Sequence, residues 1–519
     1  MTTIPLRNLP GSALLHAWLE RNPSLIRHFP TTTIDRAFCE TRRNDGAARS
    51  RLRSLVEDGL RTVEMSEAQR ASLHALVEER AVVTVTGQQI GMFGGPFYTL
   101  LKIASSVALA RELTTTLDMP VVPVFWLEDN DHDAHEAATA VLQQADGFPV
   151  GMPFWDGDSP RIPVAQRTFG DDIAERLAPA LAILNGQDAD NVRAVLTSIY
   201  RPGTAWNDAF VQLLQPMLGA WGVLVVRGSD VIRHGLHLPI LLKELASPGA
   251  VRERIDEASA ALKSDGYHAQ IQGHDVNVFI HDDEGRRRPT TEEAPAMMDL
   301  AAKEAHRFSP SVVIRPVIQD AVLPSVATVL GPAELAYHAQ LGSVYEWFGI
   351  RMPMPVLRHT ATLIDARTQR LLERTAHEAS WFMRPWPDVE RDVVAILDTN
   401  RTPPSDEAAP HIAALLAPYR KALGSLDPTL LGSVNAAEAN IVKALDQLDG
   451  KMRSAVKRVN GEILDRYRWC ANTIYPFGAP QERAYALGVW LARFGTESLR
   501  NIAGQICSQD RTVHTIING

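Results

Sequence analysis

The sequence has few cysteines and no long hydrophobic run. Only Cys39, Cys470 and Cys507 occur among 519 residues, far apart and without a CxxC pair. This distribution argues against a disulfide framework or a thiolate zinc site and predicts a reducing compartment. The first residues lack a basic segment followed by an apolar run, and no stretch of eighteen apolar residues follows. We therefore expect a soluble, cytoplasmic protein with no membrane partner.

The sequence also lacks an excess of positive charge and both common nucleotide-binding motifs. A formal net charge of -9 argues against a nucleic-acid partner and favours small-molecule chemistry. The glycines between residues 87 and 95 fit neither G-x-G-x-x-G nor a P-loop. Hydride transfer from a dinucleotide and Walker-type ATP hydrolysis are therefore disfavoured.

Two β-branched runs with a helix between them predict an α/β fold with a parallel sheet. Residues 81–86 and 120–127 are the expected strands, and the intervening helix has Pro96 in its first turn. Parallel neighbours need such a helical crossover. Further strands of this core are expected at residues 222–228, 276–282 and 311–320. The long intervals, about 140–215 and 235–310, are interpreted as insertions.

A second strand-helix-strand unit, residues 325–357, repeats features of the first. Gly331-Pro332 precedes its helix as Gly95-Pro96 precedes the earlier one, and Met-Pro precedes the following strand in both units. Two helix N-termini would then face one crevice. The alternative is that Gly-Pro is only a common way to begin a helix.

The C-terminal part of the chain is predicted to be helical. After a proline-rich break at residues 401–410, apolar residues recur near heptad spacing and predict a long coiled-coil helix, paired with a helix in residues 411–426. The interpretations left open are a packing or dimerisation arm without chemistry and a role in the active site. We expect a core in residues 1–376, this helical domain in 377–480, and a helical segment in 481–519 that packs back on the core. The heptad residues are Ile441, Leu445, Leu448, Met452, Val459 and Ile463.

The glycine-rich turn after the first strand is a candidate anion site. Glycines let a ligand approach the backbone, and a helix N-terminus favours negative charge. The expected anion lies against the N–H groups near Gly94 to Phe97. The alternative is a structural turn with a solvent-facing lysine. The candidate residues are Gln88, Gln89, Gly91, Gly95, Thr99 and Lys102.

An acidic cluster, residues 125–136, follows the second strand. Open α/β sheets bind ligands at this edge. Three interpretations remain: a divalent-metal site, a metal-free pocket, and a solvated loop. In the metal-free pocket Asp131 and Asp133 hold an ammonium group, and His132 is the general base or acid.

Several of these blocks resemble one known family. "VTGQQIGMFGGPFYTLLK", "PVVPVFW" with "DHD", "GYHAQI", "GRRR", "RPVIQDAVLPSVATVLGPAELAYHAQL" and "DPTLLGSV" occur in order and are similar to the bacillithiol biosynthesis cysteine-adding enzyme family. The resemblance implies a Rossmann-like, nucleotidylyltransferase-related core with inserted segments and a coiled-coil domain in a homodimer. It also implies that cysteine is joined through its carboxyl group to the amine of glucosaminyl-malate. Asn130 departs from the family, where an acidic residue is usual.

Amide formation from a free carboxylate is uphill in water, so the reaction requires ATP or another activating donor. A requirement for a metal cannot be read from the sequence.

From the second strand-helix-strand unit, Glu334, Tyr337 and Gln340 are candidates for binding a sugar or amino-acid group, because their three-residue spacing places them along one helix face. Trp126 is a further candidate, and the GRRRP stretch at residues 285–289 is a candidate clamp for phosphate or carboxylate.

Two other classes of function remain open. The first is an ATP-dependent enzyme that transfers a nucleotidyl or aminoacyl group to another small amine. The second is a non-catalytic, dimeric small-molecule-binding protein.

Overall fold

The structure, a computed structural model, describes residues 1–155, 157, 162–282, 285–398 and 405–518. The chain forms two compact units. Unit 1 comprises Met1–Ala145, Pro149–Ala366 and Gln481–Gly519, and unit 2 comprises Asp146–Phe148 and Arg367–Pro480. Part of the predicted proline-rich break, residues 401–404, lies outside the described residues. Within the described ranges, no helix is both long and apolar enough to cross a bilayer.

The strands in the described part of the chain form four sheets, of which a five-stranded parallel sheet in the order β11-β10-β2-β3-β6 is the largest. A second sheet, β1-β13-β12, joins the two ends of the chain, and β4-β5 and β8-β7-β9 are small antiparallel sheets. The strands are β1 (Thr2–Pro5), β2 (Val82–Gln89), β3 (Val121–Glu128), β4 (Thr139–Gln143), β5 (Pro149–Pro153), β6 (Leu224–Arg227), β7 (Val278–Asp282), β8 (Gly285–Arg287), β9 (Phe308–Pro310), β10 (Ser325–Leu330), β11 (Met354–Leu357), β12 (Thr360–Ile364) and β13 (Val513–Asn518).

The helices connect these strands and form most of unit 2. They are α1 (Ala13–Leu19), α2 (Pro23–Ile26), α3 (Arg36–Arg42), α4 (Arg49–Gly59), α5 (Glu67–Val77), α6 (Tyr98–Leu117), α7 (Ala134–Ala137), α8 (Ile173–Ile183), α9 (Ala189–Ile199), α10 (Trp206–Trp221), α11 (Gly228–Arg233), α12 (Leu238–Ala246), α13 (Ala250–Ser264), α14 (Ala294–Lys303), α15 (Arg315–Val322), α16 (Pro332–His338), α17 (Gly342–Phe348), α18 (Ala366–Thr375), α19 (Trp386–Leu397), α20 (Ser405–Leu426), α21 (Leu431–Val459), α22 (Gly461–Ile474), α23 (Gln481–Ala484), α24 (Leu487–Phe494) and α25 (Thr496–Cys507).

The order of the parallel sheet creates a crevice between β2 and β10. From β2 the chain adds β3 and then β6 on one side, whereas β10 and β11 lie on the other side of β2. The chain order therefore reverses between β2 and β10, and the helices that follow them, α6 and α16, both begin at that edge. Ligands of open α/β sheets bind at such reversal points, outside the carboxyl ends of the strands. The predicted α/β core is confirmed in this arrangement.

For two segments the prediction of a strand in the parallel core sheet is wrong. Residues 276–282 do form a strand, β7, but it pairs with β8 and β9 outside the parallel sheet. Residues 311–320 form most of helix α15 instead of a strand. Pro316 lies in the first turn of α15, where its missing N–H is not needed, and the apolar residues Val317 and Ile318 are buried against the core. Tertiary packing thus overrides the β propensity of this segment.

Unit 2 contains the predicted helix pair, but the long helix is divided. Helices α20 and α21 are joined by a short turn and run antiparallel, with Arg420 of α20 2.6 Å from Glu438 of α21. Asn460 ends α21 and begins α22, so Ile463 lies in a separate helix from the other heptad residues. The prediction of one uninterrupted helix is therefore wrong.

The glycine-rich turn is held by packing inside unit 1. A Cβ on Gly91 would lie 2.6 Å from the Cα of Gly95, and Gly95 itself has a φ of 67°, in the left-handed region. The N–H of Gly95 donates to Met92, and the N–H of Phe97 donates to the carbonyl of Tyr485. These two N–H groups are not available to a ligand. The expected anion at Gly94 to Phe97 is not supported, because the turn packs against the C-terminal segment.

We predict that Gly59→Ala destabilises unit 1. A Cβ at Gly59 would lie 2.2 Å from the carbonyl oxygen of Val225, and helix α4 would have to move away from strand β6. Overpacking of this kind costs about 1–3 kcal/mol. Thermal denaturation followed by circular dichroism should show a lower midpoint. Gly504→Ala is the matched control, because that helical glycine faces open space. An unchanged midpoint for Gly59→Ala would contradict the close packing of α4 on β6.

Candidate active site

A cavity of about 470 Å³ lies at the carboxyl edge of the parallel sheet in unit 1. Strand β2 contributes Gln88 and Gln89, the segment after β3 contributes Asp131, and α16 contributes Glu334 and Tyr337. The volume is within the range of about 300–1,000 Å³ that is typical of small-molecule sites. The cavity is therefore located at the reversal point of the sheet.

The lining of the cavity is rich in charge. Six cationic side chains and three carboxylates line it. The carboxylates are Glu128, Asp131 and Glu334, and the cations are Lys102, Arg286, Arg288, Arg315, Arg358 and Arg483. Which of these charges are already paired decides what a ligand must supply.

Lys102 and Glu334 join the two strand-helix units. The Nζ of Lys102 lies 2.7 Å from the Oε2 of Glu334 and also donates to the carbonyl of Gly87 and to the Oε1 of Gln88. Glu334 accepts the N–H of Gly331 at 2.7 Å, which caps α16. Burial alone would raise the pKa of Glu334, but the Lys102 charge and these hydrogen bonds hold it below its usual value. The carboxylate is therefore ionised at neutral pH.

Arg315 is paired with Glu128 on the other wall. Its Nη1 lies 3.4 Å from the Oε2 of Glu128, which also accepts the indole N–H of Trp126 at 3.1 Å. Burial lowers the pKa of Arg315, and the Glu128 carboxylate more than compensates, so that its pKa lies above the usual value. The Nη2 of Arg315 donates to the hydroxyl of Tyr337 at 3.4 Å. The Arg315 guanidinium therefore stays positively charged, and its contacts with Glu128 and Tyr337 hold it in position.

Arg358 is paired outside the cavity with Glu482. The two side chains are buried, and the Nη2 of Arg358 lies 2.7 Å from the Oε1 of Glu482. A second hydrogen bond runs from the Nη1 of Arg358 to the carbonyl of His359. The guanidinium also lies 5.3 Å from the ring centroid of Tyr98. Its charge is thus largely neutralised within the protein.

Arg286 and Arg288 are different, because they have no carboxylate partner. Alternation along the extended hairpin places both on one side, and their guanidiniums lie 3.7 and 4.8 Å from the ring centroid of Phe279. Burial lowers the pKa of both groups. Among the described residues, none forms an ion pair with either group, and the Nε of each is buried without a hydrogen-bond partner. The carboxylates of Asp131 and Glu128 act on Arg286 from a distance but form no ion pair with it, so both arginines present guanidinium donors to a ligand at the cavity.

The acidic cluster places the carboxylates of Glu128 and Asp131 in the cavity and those of Asp129 and Asp133 away from it. Asp131 lines the cavity and accepts hydrogen bonds from the side chain of Gln89 and from the N–H of His132. Asp133 is exposed and caps helix α7 by accepting the N–H of Glu136 at 2.9 Å. Asp129 is buried, where burial raises its pKa to about 6, and it accepts hydrogen bonds from Asn207 and Ser229.

His132 lies between opposite charges. Its Nδ1 is 3.2 Å from the Oδ1 of Asp131 and also contacts the Nη1 of Arg286. The imidazole is about one-third exposed. In the described ranges, no group of three or more His, Cys, Asp or Glu side chains is arranged to hold a metal ion. The geometry therefore does not support the metal-site interpretation of this cluster.

Comparison with known proteins decides the family. A family model for the N-terminal Rossmann-like domain of bacillithiol biosynthesis BshC matches residues 1–359, and one for the C-terminal coiled-coil domain of BshC matches residues 361–518. The chain belongs to the bacillithiol biosynthesis BshC family. The resemblance carried by the sequence blocks is confirmed, as are the Rossmann-like core and the coiled-coil domain.

Individual relatives of the BshC family match over most of their length. A protein of Salinibacter ruber named "Putative cysteine ligase BshC" is 29% identical over 474 residues, covering 87% of this chain and 86% of the relative. Proteins with the same name from Chlorobaculum tepidum and Koribacter versatilis are 26% and 25% identical, covering 87% and 98% of this chain and 85% and 99% of the relatives. The match thus includes both units.

The structure brings six of the predicted BshC site residues together at the cavity. A second group of the predicted residues lies elsewhere. Gln340 is fully buried and holds the backbone of residues 270 and 271, and the side chain of Trp126 is buried against Glu128. The hydroxyl of Thr99 is buried without a hydrogen-bond partner among the described residues. The six at the cavity are Gln88, Gln89, Lys102, Asp131, Glu334 and Tyr337, and those outside its lining are Gly91, Gly95, Thr99, Trp126, His132, Asp133 and Gln340.

The prediction for Lys102 requires correction. The sequence suggested a positive charge for an anionic ligand or a solvent-facing side chain, but Lys102 is only 3% exposed and is neutralised by Glu334. The sequence missed Tyr98, Arg315 and Arg358 as site residues, all of which line the cavity. Arg315 lies in the segment predicted as a strand, and an available signal was the Arg-Pro pair at a helix start.

We predict that Lys102→Met lowers the free energy of unfolding by about 2 kcal/mol or more, because it leaves the Glu334 carboxylate without its partner. The double variant Lys102→Met/Glu334→Gln should lose less. Chemical denaturation of both variants measures the difference. Arg53→Met, which breaks an exposed pair with Glu78, is the control and should cost no more than about 1 kcal/mol. The single variant Glu334→Gln completes the cycle, and a loss in the double variant equal to the sum of the two single losses would contradict a coupling between Lys102 and Glu334.

Proposed function

We propose that this protein is a cysteine ligase that joins the carboxyl group of L-cysteine to the amine of glucosaminyl-malate and so forms bacillithiol. The observation that carries the proposal is the division of charge in the cavity. Three of the six cations that the described residues contribute have carboxylate partners within the protein. The described residues form no ion pair with Arg286, Arg288 or Arg483, and Asp131 pairs only with the imidazole of His132. Membership of the BshC family and the name of the relatives support the same reaction.

The unpaired charges fit the proposed amine substrate. Glucosaminyl-malate has two carboxylates and one amino group, so its charges are complementary to two guanidiniums and one carboxylate. A guanidinium binds a carboxylate with two parallel hydrogen bonds, which fixes orientation as well as position. In the proposed complex Arg286 and Arg288 bind the malate carboxylates, and Asp131 holds the ammonium group. Phosphate groups bind guanidiniums in the same way, so the same two arginines would also suit an activating donor such as ATP.

The proposed reaction needs an activated carboxyl group and a neutral amine. ATP or another donor activates the cysteine carboxyl group. The amine nitrogen attacks the activated carbonyl carbon, the C–N bond forms, and the activating group leaves with the electrons of its bond to that carbon. The proton released from the amine passes to His132, which adjoins Asp131. The residues of the cavity supply orientation, and His132 supplies proton transfer.

We predict that His132→Ala lowers turnover at least about a hundredfold, the range of lost acid-base catalysis, without loss of fold. Asp131→Asn should also lower turnover, because it removes the carboxylate that holds the ammonium group. The measurement is the formation of bacillithiol from cysteine, glucosaminyl-malate and a series of activating donors. His135→Ala is the control, because that exposed histidine packs on Trp155 outside the cavity. Unchanged turnover in His132→Ala would remove its proposed role. Binding of both substrates without product from any donor would favour a binding protein.

The proposed enzyme is a homodimer that pairs through unit 2. Helix α21 is 29 residues long, yet Val434 is its one buried residue in the described chain. Leu448 is 54% exposed and Val459 is 79% exposed. An apolar helix face of this kind is typical of a coiled-coil partner surface. A second copy of the chain is the occupant that we propose.

We predict that Leu445→Asp/Leu448→Asp converts the dimer to a monomer, because two charges would enter an apolar seam. Sedimentation equilibrium should show half the mass of the wild type. Gln447→Asp adds a charge to an exposed position of the same helix and should leave the mass unchanged. A dimeric mass for the double variant would show that these leucines are not in the interface.

A further inference from the structure

Tyr98 has a hydroxyl group whose proton is not used within the protein. The residue begins helix α6 and lines the cavity. Its Oη lies 3.1 Å from the Nε2 of Gln88, and the structure gives it no other hydrogen bond to a described residue. The identity of donor and acceptor in this contact therefore decides where the Tyr98 proton points.

The donor and acceptor follow from Lys102. A lysine ammonium has only donors, so the Gln88 atom that faces it at 3.0 Å must be the carbonyl oxygen Oε1. The other end of the amide, Nε2, then faces Tyr98. An amide nitrogen only donates, so the Tyr98 oxygen must accept this hydrogen bond. Its own proton is left for an acceptor elsewhere.

The cavity that Tyr98 lines favours an anionic acceptor. Lys102 and Arg358, 5.6 and 5.3 Å from the centroid of its ring, are already paired with carboxylates, but the guanidinium of Arg483 lines the same cavity and also acts on the phenol. Burial raises the pKa of the phenol, so the hydroxyl stays protonated at neutral pH.

Tyr337, in helix α16 of the second strand-helix-strand unit, shows the same arrangement. Arg315 faces its hydroxyl, and because a guanidinium only donates, the Tyr337 oxygen must accept. Two phenolic donors thus line one cavity.

We infer that Tyr98 is a substrate-binding residue whose hydroxyl donates a hydrogen bond to a carboxylate oxygen of the ligand. The identification of that ligand as a malate-bearing substrate rests on the proposed function. Gln88 and Lys102 are positioning residues for Tyr98. Lys102 donates to the Gln88 carbonyl and so orients the amide, and the amide nitrogen then donates to the phenol oxygen. The donor direction is thereby fixed before the ligand binds, which reduces the cost of ordering the site.

The test is the affinity of Tyr98→Phe, which removes one oxygen and keeps the ring. Isothermal calorimetry compares wild type, Tyr98→Phe and Tyr419→Phe, with L-malate and with glucosaminyl-malate as ligands. Tyr419 is an exposed tyrosine of unit 2 and is the matched control. A hydrogen bond to a charged group corresponds to about tenfold or more in affinity. We expect that loss for Tyr98→Phe with both ligands, none for Tyr419→Phe, and unchanged thermal midpoints.

The other outcomes separate the two proposals. Equal affinities of wild type and Tyr98→Phe would overturn the role of Tyr98. A loss with glucosaminyl-malate but not with malate would place the acceptor on the sugar and overturn the assignment to a carboxylate. Wild type that binds malate but not glucosaminyl-malate would contradict the proposed function, while the malate arm would still test Tyr98. Wild type that binds neither ligand would overturn both.

Discussion

The ion pair between Lys102 and Glu334 is the contact on which the geometry of the site depends. It links the helix after β2 to the helix after β10, across the point where the order of the sheet reverses. Each partner also binds backbone of its own unit, Lys102 at Gly87 and Glu334 at Gly331. A displacement of either helix would break several charged hydrogen bonds at once, and these are expensive to lose in a largely buried position. The ion pair therefore holds the two helix starts together at the edge of the crevice.

Internal pairing explains how a cavity with so many charges is compatible with a stable fold. The transfer of an unpaired charge from water into the protein has a desolvation penalty on the order of several kcal/mol. Lys102, Arg315 and Arg358 avoid that cost through carboxylate partners. Arg286 and Arg288 instead pack on Phe279 and retain unsatisfied N–H groups. The remaining desolvation cost is concentrated where a bound carboxylate would relieve it.

The sequence predicted the location of the site better than its individual side chains. The sequence predicted strands β2 and β3, the Gly-Pro helix starts and the acidic segment after β3, because β-branched runs and turn residues are local signals. Tyr98 and Thr99 show why the rest was not predicted. Adjacent helix residues differ by about 100° in direction, and α6 is buried at most positions, so no polar face marks the side toward the cavity. Arg315 and Arg358 reach the site from segments distant in sequence, which only tertiary packing brings together, whereas Arg286 and Arg288 belong to the predicted GRRRP clamp.

Arg286 connects substrate binding to proton transfer in the proposed reaction. The guanidinium contacts the Nδ1 of His132, and because a guanidinium only donates, this ring nitrogen accepts the hydrogen bond. Asp131 lies 3.2 Å from the same nitrogen. In the proposed complex a substrate carboxylate binds Arg286 and competes with Nδ1 for its N–H groups. The lone pair of Nδ1, which must be free to take the proton of the amine, is therefore released when the substrate is in place.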